Sequence, residues 1–397
     1  MRCKNQFFRT KFIWLILFIF THFHSVLANQ NALQKPYLIL ISFDGFRWDY
    51  VQRNITPNLN FMAKHGVSAL SLEPVFPSKT FPNHLSIITG MYPIHHGIIH
   101  NDFIDPFSGS RYKLSDKKMV RDAYWYQGEA FWETAERQGI TTASYFWPGS
   151  ELTLEYRRPT YFEFYDGKRR YEDRVNGVID WLKLPEEERP HFITLYFEAT
   201  DNEGHRHGPD SPEINKAIQK LDTTLGLLFQ KLKEIHVFEK TNIIVLSDHG
   251  MTATAGNKII NMKDLIKNYD YSTQGTGPVM MIDANKENAA QIYKQLKSQQ
   301  EHFRVFRREE MPEYFHFSRH PFISPIILVA DPGWTLVNRT LEKIGYRLLS
   351  KGNHGYDNHF LDMHGIFFAM GPAFKENYQT GTLRNIDIYP LLCKIFG

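Results

Sequence analysis

Cysteine is almost absent from this sequence. The 397 residues contain two, Cys3 and Cys393, and Cys3 lies ahead of an apolar segment at the N-terminus. A chain that loses this segment keeps one cysteine and cannot form an internal disulfide. Animal extracellular enzymes of this size usually carry several, so the composition favours a bacterial periplasmic protein. The sequons at Asn54 and Asn338 carry little weight for such a source.

An excess of charge of one sign is also lacking. Lysine and arginine number 46 and aspartate and glutamate 43, which gives a net charge of +3, and no long basic run follows the N-terminus. This balance argues against a nucleic-acid-binding protein and against a polybasic membrane anchor. The apolar content of 42%, with 15% aromatic residues, excludes a disordered chain.

Long hydrophobic runs are missing except near the start. Phe12–Phe20 is an unbroken apolar run, and a small-residue site, Val26–Ala28, follows it. The run is preceded by four basic residues, Arg2, Lys4, Arg9 and Lys11. This pattern predicts a signal peptide over residues 1–28 and a mature protein that is secreted or periplasmic, without a membrane span. The alternative, a retained anchor, requires a longer apolar run.

Repeats, low-complexity linkers and shifts of composition are absent as well, so residues 29–397 are predicted to form a single catalytic domain. Short apolar runs alternate with helical periodicity, which predicts an α/β fold with a mostly parallel sheet covered by helices. The predicted strands are Pro36–Ser42, His191–Phe197, Asn242–Ser247 and Gly365–Met370. Three helices are predicted. The first begins at Thr56-Pro57 and ends at Gly66, the second spans Ser211–Phe238, and the third spans Ile386–Phe396. The polar region from Lys258 to Gly352 is expected to include a cap or insert.

Carboxylates and imidazoles gather where the predicted strands end. They are Asp44 after the first strand, Asp201 and His205 after the second, Asp248 and His249 after the third, and His354 before the fourth. Each alone would pass for a turn residue, but open α/β sheets place their active sites at this edge. The conjunction predicts a metal site, and the mixture of imidazole and carboxylate suits zinc better than magnesium or calcium.

A candidate nucleophile lies in the segment Pro77–His84. Pro82 suits the first turn of a helix, so Thr80 is predicted to lie near a helix N-terminus, where N–H groups and the macrodipole favour phosphate. A threonine hydroxyl is a weak nucleophile unless a metal lowers its pKa. Without metal ligands, Thr80 would be interpreted as a helix cap only.

Several segments together resemble the nucleotide pyrophosphatase/phosphodiesterase family of the alkaline phosphatase superfamily, in the form of a bacterial single-domain member. The resemblance covers residues 37–395, and its motifs are Phe43–Gly45, Pro77–His84, Thr89–Pro93, His96–Ile99, Phe146–Gly149, Asp248–Met251 and His354–Asp357.

This resemblance implies an alkaline-phosphatase-like sheet with helices on both faces and two zinc ions per chain. One zinc would be held by Asp201, His205 and His354, and the other by Asp44, Asp248, His249 and the Thr80 hydroxyl. Thr80 would attack phosphorus and form a covalent threonyl-nucleotide intermediate, which water then releases. Asn101 matches the family residue that donates to a non-bridging phosphate oxygen.

The resemblance also bears on the substrate. Tyr165 matches the family tyrosine that stacks on a nucleobase, and Phe81, which follows Thr80, could form the other side of a sandwich. Trp147 and Tyr196 match positions that line the nucleotide pocket. The expected substrates are nucleoside triphosphates and dinucleotides, hydrolysed to nucleoside 5'-monophosphates. The segment Glu198–Asp201 departs from the Glu-Glu-Pro-Asp of animal relatives, which leaves the shape of the pocket open.

Three other functions stay open at this point. The first is a choline-type glycerophosphodiesterase or lysophospholipase C that uses the same site. The second is a phosphomonoesterase, against which stands the lack of a motif that supplies an arginine beside the nucleophile. The third is a non-catalytic binding protein that keeps the fold, against which stands the intact set of ligands.

Overall fold

The computed structural model of the protein describes residues 35–339 and 350–397. The chain divides into two units, Met1–Pro36 and Tyr37–Gly397, and the second is described below. The predicted signal peptide, residues 1–28, lies outside the described residues. Within the part that is described, no helix combines the length and the apolar character that crossing a bilayer requires.

The second unit contains strands and helices in alternation, as predicted. The strands are β1 Tyr37–Phe43, β2 Gly66–Ala69, β3 Leu72–Glu73, β4 Asp102–Ile104, β5 Arg111–Lys113, β6 Thr142–Tyr145, β7 Tyr161–Glu163, β8 Phe192–Phe197, β9 Thr241–Leu246, β10 Thr252–Ala253, β11 Ile259–Asn261, β12 Ser272–Gln274, β13 Val279–Asp283, β14 Phe303–Arg307, β15 Ile326–Ala330, β16 Thr335–Val337, β17 Gly352–Asn353, β18 Phe367–Met370, β19 Tyr378–Thr380 and β20 Leu383–Arg384. The α-helices are α1 Pro57–Lys64, α2 Thr80–Thr89, α3 Pro93–His96, α4 Lys117–Arg121, α5 Phe131–Arg137, α6 Tyr171–Leu182, α7 Ala199–His207, α8 Pro212–Glu234, α9 Met262–Leu265, α10 Lys286–Ser298 and α11 Ile388–Phe396.

The main sheet has eight strands in the order β19-β2-β18-β9-β1-β8-β6-β7. Strands β9, β1, β8, β6 and β7 are parallel to one another. Strand β18 is antiparallel to both β9 and β2. The expectation of a mostly parallel sheet is therefore confirmed, with the antiparallel strand β18 next to its parallel core.

Both faces of the sheet are covered by apolar side chains. Since alternate residues of a strand point to opposite faces, each strand contributes to two cores. Ile39 and Ile41 of β1 belong to one apolar core, together with residues of α1, α6 and α8. Leu38 and Leu40 belong to another, with residues of α2, α5 and α11. A strand buried on both faces is continuously apolar, which is why β1 was detectable in the sequence.

The region from Lys258 to Gly352 contains the predicted insert, and it is more regular than expected. Strands β12, β13, β15 and β14 form a four-stranded antiparallel sheet. Apolar residues of this sheet and of α10, such as Ile292 and Leu296, form a third core. The main chain leaves this insert at β17, directly before His354.

The N-terminus of α1 differs from the prediction. Pro57 is its first residue, as expected, but the Thr56 side chain forms no cap hydrogen bond. Instead the buried carboxylate of Asp222 on α8 accepts hydrogen bonds from the backbone N–H groups of Asn58 and Leu59, at 3.1 and 2.9 Å. A partner 160 residues away in the chain has replaced the local cap, which inspection of the Thr-Pro pair could not reveal.

Candidate active site and metal centre

The predicted ligands meet at the carboxyl edge of the parallel strands. Asp44 directly follows β1, Asp248 and His249 follow β9 after one intervening residue, and Asp201 and His205 lie one turn apart on α7, which begins two residues after β8. Spacing of four residues puts two side chains on one face of a helix. His354 follows β17.

The first cluster consists of Asp201, His205 and His354. Asp201 Oδ1 lies 3.3 Å from His205 Nε2 and 3.5 Å from His354 Nε2. The three potential ligand atoms lie within 4.8 Å of one another. One carboxylate oxygen and two imidazole nitrogens thus face a common point.

The second cluster consists of Asp44, Asp248 and His249, all of them buried. His249 Nε2 lies 3.1 Å from Asp248 Oδ2 and 3.4 Å from Asp44 Oδ1. The Thr80 hydroxyl is 3.3 Å from the same nitrogen. The second predicted set, including the nucleophile, is therefore brought together.

The two clusters adjoin each other. The imidazole rings of His249 and His354 are stacked, with centroids 3.5 Å apart and planes at 13°. Of this stacked pair, His354 belongs to the first cluster and His249 to the second. Any two ions held by the two clusters would therefore be close neighbours.

The protonation of the three histidines suits metal ligation. The Nδ1 atoms of His205, His249 and His354 lie 2.8, 2.9 and 2.8 Å from the carbonyl oxygens of Gly352, Gly250 and Ser78, respectively. A carbonyl oxygen only accepts, so each Nδ1 carries a proton and donates it. With Nδ1 as the donor, Nε2 is the nitrogen that faces the cluster and can offer a lone pair to an ion, which is the arrangement found in metal-binding histidines.

The carboxylates provide the test of whether a cation fits. Asp44 Oδ1, Asp201 Oδ1 and Asp248 Oδ2 are buried and accept no hydrogen bond from the described residues. Buried polar atoms are almost always paired, and here unpaired oxygens face the lone pairs of imidazole nitrogens. Positive ions between them would satisfy both sets. Two ions coordinated by oxygen and nitrogen therefore fit this site, and the donor set matches zinc.

The pKa directions reflect the same imbalance of charge. Burial raises the pKa of Asp44 well above its ordinary value, and the neighbouring carboxylate of Asp248 adds to the effect. Burial also opposes ionisation of Asp248, but the adjacent imidazoles of His249 and His84 lower its pKa below the ordinary value. Burial lowers the pKa of His354 well below its usual value, so this ring is neutral.

Thr80 is the first residue of α2, and Lys79 is the residue before the helix. Residues 75–79 are held by the buried side chain of Asn83, which accepts from Val75 N at 2.7 Å and donates to Lys79 O at 2.8 Å. Asn101 Oδ1 accepts from the N–H of Phe81 at 3.2 Å. The amide nitrogen of Asn101 is thereby left as a donor close to Thr80, the candidate nucleophile.

Two further residues of this motif reach the site although sequence reasoning gave them no role. Buried His84 lies 2.9 Å from Thr80 O through Nδ1, which is also 3.3 Å from Asp248 Oδ2. Buried Lys79 donates through Nζ to the carbonyl oxygen of His354 at 2.6 Å, and burial lowers the pKa of this amine to about 8. The sequence indicated these roles only through the positions of the two residues near Thr80, with Lys79 in the preceding loop and His84 on α2.

A pocket of about 350 Å³ opens beside Thr80. Its walls include all four aromatic residues predicted to bind substrate: Phe81, Trp147, Tyr165 and Tyr196. Phe81 and Tyr165 are at least partly accessible, whereas Trp147 and Tyr196 are buried. Phe81 and Tyr165 are therefore the two of these rings that a ligand in the pocket can reach.

Trp147 and Tyr196 have additional contacts that the sequence did not suggest. The Trp147 indole N–H donates to His84 O at 3.2 Å. The Tyr196 hydroxyl donates to Asp44 Oδ2 at 2.5 Å, so it orients the carboxylate of a candidate ligand. Thr200, which lies where the sequence departs from the animal pattern, donates to the carbonyl oxygen of Asp44. The threonine at this position thus supports the backbone of Asp44, a candidate metal ligand.

The two glutamates in the pocket wall, Glu151 and Glu198, are paired with arginines. Arg174 is fully buried and forms two hydrogen bonds with Glu198, at 2.7 and 2.9 Å. Arg121 lies 2.7 Å from Glu151. Apart from the metal-site candidates Asp44 and Asp201, the carboxylates of this pocket wall are therefore compensated.

Comparison with known proteins gives consistent results. Residues 38–357 match the family described as type I phosphodiesterase/nucleotide pyrophosphatase. The chain is 34% identical over 393 residues to human ectonucleotide pyrophosphatase/phosphodiesterase family member 5, covering 99% of this chain and 80% of that protein. It is 35% identical to human bis(5'-adenosyl)-triphosphatase ENPP4, covering 98% of this chain and 83% of the relative.

Solved structures of similar proteins share the fold. Murine ectonucleotide pyrophosphatase/phosphodiesterase 5, solved as an inactive threonine-to-alanine variant in complex with AMP, superimposes with a TM-score of 0.85 at 32% sequence identity. The match covers 91% of this chain and 95% of the murine chain.

Proposed function

This chain belongs to the type I phosphodiesterase/nucleotide pyrophosphatase family, and on that basis we propose that it is a two-zinc hydrolase of nucleotide phosphodiester and phosphoanhydride bonds. The observation that carries the proposal is the set of buried, unpaired carboxylate oxygens beside Thr80. They face imidazole lone pairs at the mouth of an aromatic pocket. This combination provides ion binding, a nucleophile and a place for a nucleobase.

In the proposed complex, Asp201, His205 and His354 hold one zinc, and Asp44, Asp248, His249 and the Thr80 hydroxyl hold the other. When bound, two such ions supply Lewis acidity at the scissile phosphate and at its attacking and leaving oxygens. The unpaired carboxylate oxygens and the Nδ1–carbonyl hydrogen bonds support this assignment.

The chain's own residues perform the remaining tasks. Phe81 and Tyr165 hold the base, a contact that is worth about 1–3 kcal/mol and tolerates any base. Asn101 donates to a non-bridging phosphate oxygen. Thr80 Oγ1 attacks phosphorus, the leaving group departs, and water hydrolyses the threonyl phosphoester. Each cycle consumes one water and releases a nucleoside 5'-monophosphate.

Nucleotide is favoured over choline phosphoester by the surroundings of the two glutamates in the pocket wall. A quaternary ammonium is recognised by aromatic rings, and uncompensated carboxylates add to its binding. The two glutamates in the wall, Glu151 and Glu198, are each paired with an arginine. The activities printed for the relatives, nucleotide pyrophosphatase and bis(5'-adenosyl)-triphosphatase, also support a nucleotide.

Two chromogenic esters test the substrate. We expect the zinc-loaded protein to hydrolyse the nitrophenyl ester of thymidine 5'-monophosphate with a higher kcat/KM than nitrophenyl phosphocholine or nitrophenyl phosphate. Faster turnover of the choline ester would favour the lipid-directed alternative, and faster turnover of the monoester a phosphatase. No turnover of any ester, with less than two zinc ions bound, would indicate a non-catalytic protein.

The nucleophile is tested by Thr80→Ala. Removal of the hydroxyl is expected to reduce kcat by about 10³-fold or more, because the covalent step is lost. Thr80→Ser keeps a hydroxyl and is the matched control, expected to retain measurable turnover. The six remaining ligands should keep zinc bound in both variants, measured by metal analysis. Wild-type turnover by Thr80→Ala would remove this residue from the reaction.

The N-terminal pattern supports export, so we propose that the domain functions in the periplasm or outside the cell. N-terminal sequencing of protein recovered from its native compartment tests this, with a start after Ala28 as the expected result. An intact Met1 would contradict cleavage.

A further inference from the structure

His84 is a histidine of α2 that neither metal cluster includes. Its side chain is fully buried, and it lies about one helical turn after Thr80. A buried imidazole needs partners for its polar atoms, and both ring nitrogens of His84 have them. The side chain is therefore a specifically bonded polar group, and its partners indicate what it does.

The two ring nitrogens of His84 hold the ring from opposite sides. Nδ1 lies 2.9 Å from the carbonyl oxygen of Thr80, which only accepts, so Nδ1 carries a proton and donates it. The same N–H is 3.3 Å from Asp248 Oδ2. Nε2 lies 2.8 Å from Ser42 Oγ, a hydroxyl that fits either protonation state of this nitrogen. One oriented N–H thus lies between Thr80 and Asp248.

This N–H completes a closed loop of contacts around the candidate nucleophile. Asp248 Oδ2 lies 3.1 Å from His249 Nε2, and that nitrogen lies 3.3 Å from the Thr80 hydroxyl. His84 closes the loop, because it binds the backbone of Thr80. The backbone of Thr80 and the group toward which its hydroxyl points are therefore both connected to the carboxylate of Asp248.

His84 also supports the buried wall of the substrate pocket. Its ring forms T-shaped contacts with Trp147 and Tyr196, at centroid distances of 4.9 and 5.4 Å. The Tyr196 hydroxyl in turn donates to Asp44 Oδ2, and Asp44 belongs to the same cluster as Asp248. The contacts of His84 thus join the first turn of α2, the second metal cluster and the pocket wall.

We propose that His84 is a positioning residue, which aligns the Thr80 hydroxyl with the second metal cluster through its Nδ1–H group. The inference rests on the proposed function and adds a residue to it. A misplacement of about 1 Å at a reacting group can cost about 10²-fold in rate. Side chains that hold the ligands of a metal typically change its affinity or the activity by about 10–100-fold when they are replaced.

The test compares two amides in place of the imidazole. His84→Asn can place an amide N–H where Nδ1 lies, whereas His84→Gln places its amide near Nε2. With the nitrophenyl ester of thymidine 5'-monophosphate, we expect kcat to fall about 10–100-fold in His84→Gln and less than about five-fold in His84→Asn. KM should change by less than about three-fold in both, because Phe81 and Tyr165 remain in the pocket.

Zinc binding gives a second measurement that does not depend on turnover. In His84→Gln, Asp248 loses the neighbouring N–H, so one of the two ions should be released at an about ten-fold lower concentration of a competing chelator. The other ion should be released as in the wild type, because Asp248 belongs to one cluster only. His84→Asn should release both ions like the wild type.

His84→Phe distinguishes positioning from packing. It keeps an aromatic ring but no N–H group, so its kcat should be as low as that of His84→Gln, whereas a packing role predicts that it is the most active variant. His96→Gln is the matched control. His96 is also fully buried, but it contacts α2 through Pro82 O. This control should lower the melting temperature and keep kcat within about two-fold of the wild type.

Ser42→Ala tests the inference without altering His84, and it decides the matter where a His84 variant does not fold. It removes one hydroxyl, so the ring loses its partner at Nε2, and kcat should fall by about three-fold or more. Equal kcat in His84→Asn and His84→Gln, wild-type kcat in His84→Phe or Ser42→Ala, or loss of both ions together in His84→Gln would each overturn the inference. A wild-type protein that binds no zinc and hydrolyses no ester would instead refute the proposed function itself.

Discussion

At the scale of single residues, the start of α2 determines what surrounds the nucleophile. Asn101 accepts from the N–H of Phe81 through Oδ1, and its amide nitrogen has no acceptor among the described residues. A buried or partly buried donor of this kind is available to a developing oxyanion. The side chain therefore has two separable tasks, one toward the helix and one toward the substrate.

Replacement of Asn101 separates these tasks. Asn101→Ala is expected to cost about 2–4 kcal/mol of transition-state stabilisation, seen in kcat, because one oxyanion donor is lost. Asn101→Asp keeps the acceptor for Phe81 N–H but not the donor, so it should be at least as impaired. Full activity of the aspartate variant, or an effect on KM alone, would contradict the assigned role.

Residues also mark the limit of what the sequence could predict. The seven metal-site residues were identifiable because each is a polar residue at the end of a strand or in a family motif. Asn83 and His84 lie in such a motif too, but their roles were not identifiable, because each also contacts a residue far along the chain. Asn385 Nδ2 donates to Asn83 Oδ1 at 2.7 Å, and His84 Nδ1 lies 3.3 Å from Asp248 Oδ2. Nothing in the local pattern distinguishes such a residue from an ordinary helical position.

At the scale of elements, the joints between helices depend on distant side chains. Asp222 of α8 binds the N-terminus of α1, and His96 of α3 connects to α2, with Nε2 3.1 Å from Pro82 O. The antiparallel direction of β18 likewise could not be predicted from the sequence, because an apolar run gives no information about the direction of the strand in the sheet. Hydrophobic patterns reveal that an element exists, whereas its direction and its caps depend on tertiary contacts.

Asp222→Ala tests the remote cap. Loss of the carboxylate leaves the N–H groups of Asn58 and Leu59 without their acceptor, so the free energy of unfolding should fall by about 1–2 kcal/mol. Asp222→Asn keeps one acceptor oxygen and should fall less. Thermal unfolding measures the effect, and kcat at 25 °C should be unchanged because Asp222 lies outside the catalytic pocket. Unaltered stability of the alanine variant would show that the cap contributes nothing.

His96 gives the fold a sensitivity to acid. Burial lowers its pKa to about 3, and the Ile98 N–H donates to its Nδ1, which holds the ring neutral. An unfolded histidine titrates near pH 6.5. As the pH falls from about 6.5 to 3, the unfolded chain takes up a proton that the folded chain does not, so stability decreases.

The measurement is the free energy of unfolding against pH for the wild type and for His96→Gln. The variant should be less stable at pH 7, because buried packing is disturbed, but its loss of stability below pH 6.5 should be shallower by up to about 1.4 kcal/mol per pH unit. Parallel curves would mean that His96 does not contribute to acid sensitivity.

At the scale of the whole molecule, the metal site connects segments from most of the chain. Its ligands follow β1, β8, β9 and the insert, from Asp44 to His354. Their carboxylates repel one another, and burial together with Asp248 already raises the pKa of Asp44. Ions bound here are expected to stabilise the folded state as a whole, since the unfolded chain offers no such site.

Removal of divalent ions with a chelator should therefore lower the melting temperature, and added zinc should restore it. At a free zinc concentration 100 times the Kd, the gain is about 2.7 kcal/mol per site. Magnesium at the same concentration is the control, and it should restore little because imidazole ligands favour zinc. Identical unfolding curves with and without chelator would indicate that no ion is bound.

Because Thr80 is the first residue of α2, the direction in which its hydroxyl points depends on its rotational position about the helix axis. Neighbouring positions on a helix are rotated by about 100°. One residue inserted between Thr80 and Asn83, with every chemical group retained, would turn the hydroxyl away from His249. A change of length is therefore expected to abolish activity in this short stretch. The exposed turn at residues 106–110 carries no candidate site residue, so an insertion there should be tolerated better.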